Sequence, residues 1–171
     1  MGFWFFKSKK DEKNKQKVQM PAEPPHEEER ADSLWVDFQT LGTSHERRQE
    51  LLPQIVQKAL AEGPDSGWAA EAALYQLLCG GYRRDLAQLR QWGGQLPDED
   101  DRSRFLDTMD ELEDLGLAEA GDDAASLRAF LLKAAREGSE AAARQAYATI
   151  AHGQDTDPEV MEGAAYAALH G

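Results

Sequence analysis

The sequence predicts an all-α protein of seven to eight short antiparallel helices. Three observations carry that expectation. From Ser33 onward, apolar residues recur at the 3.6-residue period of a helix, with no convincing two-residue alternation of a strand. A glycine follows nearly every such stripe, where a helix end favours a residue without a side chain. Ser, Thr or Asp stands in front of most stripes, where a side-chain oxygen can take up the free backbone N–H groups of a first turn.

The chain has 171 residues and a formal net charge of −13, and that charge is unevenly placed. Residues 1–30 hold seven basic and six acidic groups, a net +1, so residues 31–171 carry −14. Six of the eight lysines lie in the first 17 residues, and the rest of the chain uses Arg almost exclusively. This shift marks a boundary. After Phe6, residues 7–30 contain almost no large apolar side chain, include Pro21, Pro24 and Pro25, and run through blocks of charge. Such a segment buries too little surface to offset its chain entropy, so residues 1–30 are expected to be a disordered tail and residues 31–171 the acidic helical domain.

The elements follow in order. Leu34, Trp35, Phe38 and Leu41 share one face, and Gly42 stops that first helix. Ser44 with Glu46 signals a helix start, and Leu51, Leu52, Ile55, Val56, Ala59 and Leu60 form its stripe up to Gly63-Pro64. Pro53 inside it predicts a kink or a new start near Leu52. Asp65 or Ser66 can cap a third helix with Trp68, Ala72, Tyr75, Leu78 and Cys79 on its apolar side. Gly80-Gly81 closes it, and a helix over residues 82–92 is striped by Leu86, Leu89 and Trp92.

Pro97-Asp98 opens a fifth, with Phe105, Leu106, Met109, Leu112 and Leu115 on one face and Gly116 after it. Asp122 or Asp123 caps the sixth, which carries Leu127, Phe130, Leu131 and Ala134. Ser139 starts the seventh, with Ala143, Ala146, Tyr147, Ile150 and Ala151. Asp157-Pro158 is a cap followed by a proline at the first helical position, and it predicts an eighth carrying Val160, Met161, Ala164, Ala165 and Ala168.

Breaks this short join antiparallel neighbours. Either an irregular bundle or a short helical-repeat array fits. Residues 139–171 resemble a tetratricopeptide or HEAT unit in helix length and small residues, but lack the tetratricopeptide Trp and Leu-Gly pattern in the first helix.

Composition narrows the function. An acidic body repels phosphate backbones, so nucleic acid is not an expected partner. The single cysteine, Cys79, excludes a disulfide framework and reads as a small buried hydrophobe. No apolar run approaches the ~20 residues of a membrane-spanning helix. His26, His45, His152 and His170 show no metal-ligand spacing, and no phosphate-binding glycine loop occurs. A helical-bundle enzyme would need inward-facing carboxylates on several helices, and the acids fall mostly off the apolar stripes. No catalytic residue, metal or cofactor is therefore assigned.

Two features point to binding. Phe3, Trp4, Phe5 and Phe6 are followed by Lys7, Lys9 and Lys10, an aromatic and basic tip with no nearby partner in sequence. Its aromatics suit a membrane interface or an apolar groove of a partner, and its lysines suit anionic lipid at ~1 kcal/mol each. Folding back onto the acidic body is the third reading of the tip. Residues 98–123 hold twelve carboxylates; Asp98, Glu99, Asp100 and Asp101 at a helix N-terminus are explained structurally by the macrodipole alone, and Asp100, Asp101, Asp107, Asp110, Glu111 and Asp114 form a candidate acidic face for a basic partner. Arg102, Ser103 and Met109 at the fifth, sixth and twelfth loop positions, where a carboxylate, a glycine and a glutamate are needed, exclude an EF-hand starting at Asp98. The sequence thus predicts a non-catalytic interaction module, an adaptor, scaffold or assembly factor in the cytoplasm. Its first 17 residues would tether it peripherally to an anionic membrane or a larger assembly. An acidic inhibitor or immunity-type protein, or a helical-bundle enzyme, is the alternative.

Overall fold

The computed structural model describes residues 29–40 and 42–152, with backbone alone over 149–152. Seven α-helices occur among them: α1 (Ala31–Gln39), α2 (His45–Glu62), α3 (Gly67–Cys79), α4 (Leu86–Gly93), α5 (Glu99–Asp114), α6 (Ala124–Arg136) and α7 (Glu140–His152). Short 3-10 turns, Pro64–Ser66 and Leu117–Glu119, precede α3 and follow α5. No strand is present among the described residues. The predicted tail over residues 1–28, the predicted eighth helix after Asp157, and Leu41 lie outside them.

Capping explains most of the starts. Ser44 accepts the Arg47 N–H, Asp85 that of Gln88, Asp98 those of Asp100 and Asp101, and Asp123 that of Ser126. Helix α1 is capped from outside its own sequence. Arg30 provides no side-chain cap, and the Ala31 N–H donates to Glu62 Oε1 at the end of α2 (2.9 Å). Gly116 and Gly138 take the left-handed conformation beyond the ends of α5 and α6, both at φ +100°, where a side chain would be strained.

Four expectations are corrected. Helix α2 is one helix through Pro53, with no new start near Leu52. A proline inside a helix costs about 3 kcal/mol. Leu51, Leu52, Ile55 and Val56 flank it with fully buried side chains, each worth roughly 1.5–3 kcal/mol, and this burial outweighs the lost hydrogen bond. Helix α4 begins at Leu86 rather than Tyr82, because Asp85 caps it there. Helix α3 buries the predicted Leu78 and Cys79, but the rest of its inner face is rotated from the one predicted. Ala69, Ala70, Ala73, Leu74, Leu77 and Leu78 point inward, whereas Trp68 is 50% exposed and Ala72 and Tyr75 are half-buried. Likewise Tyr147 of α7 is exposed, and Ala141, Ala142 and Ala146 make its buried face.

Helix α3 is the hub. It packs on α1, α2, α4 and α5 and contributes the largest share of the core through its alanines and leucines. Beyond it, α5 packs on α4 and α7, and α6 pairs with α7. Helices α1, α3, α5 and α7 therefore lie side by side in chain order. No comparable packing joins α1 to α7, so among the described residues this row stays open at both ends.

Candidate interaction surface

Helix α5 supplies most of the carboxylates at issue, and its neighbours sort them into two groups. Arg90 of α4 reaches across with both arms of its guanidinium: Nη1 donates to Asp110 (2.7 Å) and Nη2 to Glu113 (2.8 Å). Arg104 donates from Nη1 to Glu71 of α3 (3.2 Å) and lies 3.3 Å from Asp101 one turn back. Glu111 accepts the Ser139 hydroxyl at 2.6 Å, while Ser139 Oγ accepts the Ala142 N–H (3.1 Å) and so caps α7. Asp110 and Glu111 of the predicted acidic face are thus used to join α5 to its neighbours, and Asp101 pairs with Arg104 within α5.

The second group remains in solvent. Asp100, Asp107 and Asp114 are exposed and have no ion pair or side-chain hydrogen bond among the described residues. They recur every seven residues, which places them in one row along the outer face of α5. The predicted face is therefore narrower than its sequence suggested. The tip residues Phe3, Trp4, Phe5, Phe6, Lys7, Lys9 and Lys10 lie outside the described residues.

A second surface feature, on α1 and α3, is one the sequence reading missed. Trp68 meets Trp35 of α1 edge-on at 6.4 Å between ring centroids, and Trp35 stacks on Phe38 at 5.1 Å. One turn along α3 from Trp68 is Glu71. Burial pushes the Glu71 carboxyl above its ordinary value, and the negative charges of Asp101 and Asp98 push the same way against Arg104. The predicted assignment of Trp68 to the core failed because α3 is apolar nearly all round, so the period could not choose its inner face.

Among the described residues, few polar groups are withdrawn from solvent. The buried polar residues are Ser66, Thr108 and Ser139, and every Asp and Glu side chain reaches solvent in part. Burial pushes the Cys79 thiol up to about 12, so the thiolate a nucleophile needs is not populated at neutral pH. No group of three or more His, Cys, Asp and Glu is arranged to hold a metal ion among these residues. No helix among them is long and apolar enough to cross a membrane. An open groove of about 640 Å³, lined by Glu29, Arg30, Gln57, Lys58, Ala61 and Glu62, lies where the chain enters α1. Comparison with protein-family models, curated proteins and solved structures finds no match to this chain.

Proposed function

We propose that this chain is a non-catalytic interaction module that presents the outer face of α5 to a basic protein partner. The observation that carries the reading is the row Asp100, Asp107 and Asp114, solvated and unpaired while the neighbouring acids are neutralised by Arg90 and Arg104. Three like charges spaced about 10 Å along one helix repel one another weakly, and a cationic partner relieves that repulsion. The helices beneath the row hold it in place, so little ordering cost accompanies binding.

The N-terminal tip supplies the tether. Phe3, Trp4, Phe5 and Phe6 suit the interfacial layer of a bilayer, and Lys7, Lys9 and Lys10 suit its anionic headgroups. Sedimentation with anionic vesicles tests this half of the reading. The intact chain is expected to pellet with vesicles and a form lacking residues 1–10 to stay in the supernatant. Equal behaviour of the two removes the membrane tether from the account.

A further inference from the structure

We propose that the strip from Trp35 of α1 across Trp68 and Glu71 of α3 to Asp101 of α5 is a docking site for the chain's own N-terminal segment, Phe3–Lys10. The strip combines two chemistries that rarely meet on a surface. Its aromatic end is Trp68, 50% exposed, against Trp35, with Val36 at 61% exposure beside it in sequence. Half-exposed tryptophans are favoured anchors of interfaces, because one ring buries ~150–250 Å² at little entropic cost. Its acidic end holds Glu71, Asp101 and Asp98, with Arg104 alone set between the first two. Two elements place this end beside Trp68. Glu71 lies on the next turn of α3, and a Cβ at Gly67 would meet the Pro97 ring at 2.9 Å, which seats the start of α5 against the start of α3.

The occupant follows from the same two chemistries. Phe3–Phe6 are aromatic, and Lys7, Lys9 and Lys10 follow them directly, so the segment carries an apolar and a cationic part in sequence. A tip laid along the strip puts its rings on Trp35 and Trp68 and its ammonium groups on Glu71, Asp98 and Asp101. Its attachment is close. The chain enters α1 at Ala31, and Trp35 is four residues on, about 6 Å of helix rise. Residues 7–30 supply up to roughly 80 Å of extended chain, so reach is not limiting. A tethered segment also has an effective concentration in the mM range, which favours it over a second copy of the chain in dilute solution.

This inference rests on the reading of the tip as an anchoring segment. The same aromatics and lysines cannot sit on the strip and in a bilayer together, so docking holds the tip in reserve until an anionic surface competes for it. If the tip is docked nine-tenths of the time, its apparent affinity for that surface falls about tenfold.

The test uses the full-length chain with a photo-reactive benzoylphenylalanine in place of Phe5, irradiated at low concentration. Expected are cross-links within one chain to the segments around Trp35 and Trp68, reduced by Trp68→Ser and by the tail variant K7E/K9E/K10E, which leaves the helices untouched. Cross-links that fall on α6 or α7, that join two chains, or that ignore both variants overturn the proposal. In parallel, Trp68→Ser is expected to tighten binding to equimolar phosphatidylserine and phosphatidylcholine vesicles up to about tenfold. If no form of the chain binds vesicles, the tether fails and the cross-links alone decide docking. If vesicles bind the intact chain and Trp68→Ser equally, docking fails and the tether stands.

Discussion

Arginine is the residue whose placement organises this molecule. Arg84 is the clearest case, with a side chain only 4% exposed. Its Nη2 donates to the carbonyls of Leu117 (3.3 Å), Ala120 (2.9 Å) and Gly121 (3.4 Å), and its Nε lies 3.4 Å from Asp122. Its Nη1 is buried with no hydrogen-bond partner. One guanidinium thereby fixes the whole connection between α5 and α6. Arg102 repeats the device with two bonds to the Leu96 carbonyl (3.0 and 2.9 Å), and Arg48 with one to that of Phe38 (3.1 Å). An ammonium on a flexible stem cannot present several donors in one plane. Arg84→Lys should therefore cost about 2–3 kcal/mol in urea denaturation, because the charged hydrogen bonds of the buried guanidinium are lost. A loss within experimental error would show that the fork is dispensable. Ser139→Ala removes a cap and leaves Glu111 without its donor, and a loss of about 1–2 kcal/mol is expected by the same measurement. The near absence of lysine from residues 31–171 was visible in the sequence. What each arginine grips was not, because Arg84 and its carbonyls are more than thirty residues apart and meet only through the fold.

At the scale of the helix, local signals and tertiary packing divide the work. Starts and stops were legible where they rest on local chemistry: Asp98, Asp123 and Ser139 cap as their positions predict, and Gly116 and Gly138 end helices. Faces were legible where a helix is amphipathic, as on α5 with Phe105, Met109 and Leu112 inward. They failed in part on α3, which is apolar nearly all round and buries Leu78 and Cys79 but not Trp68, and on α7, which buries Ala146 but not Tyr147. The acidic face failed in part because ion pairing across helices, as from Arg90 to Asp110 and Glu113, leaves no trace in spacing along one helix.

Two carboxylates at helix positions titrate in opposite senses. The backbone N–H of Ser126 holds Asp123 below its ordinary 3.8, so its stabilising effect is full above that value and fades as the pH falls through the lower one. Glu71 is raised above its ordinary 4.5 by burial and by Asp101, so the folded state takes up that proton before the unfolded chain does. Its charge therefore weighs against folding at neutral pH, and the cost disappears on acidification through the raised value. Glu71→Gln should leave the protein at least as stable as the wild type at neutral pH, with the difference shrinking towards pH 4.5. Urea melts across that range check the sign, and a clear destabilisation at neutral pH would show that the Arg104 pair dominates instead.

Across the whole molecule, the open row of α1, α3, α5 and α7 sets out two chemistries. The row of Asp100, Asp107 and Asp114 faces solvent along α5, and the Trp35–Trp68 strip lies between α1 and α5 on the surface of α3. The net charge of −14 over residues 31–171 is spent unevenly between them, partly in internal pairs and partly in this solvated row. Binding to a basic partner is the central claim. It is tested most directly by capture from cell extract with the intact chain and with the triple variant D100K/D107K/D114K, at low and at high salt. Because these side chains are exposed and unpaired, the variant should keep the wild-type fold by circular dichroism. The account predicts that the wild type retains a basic protein at low salt, releases it at high salt, and that the folded variant retains none of it. Equal retention by both proteins, or retention that ignores salt, would contradict it.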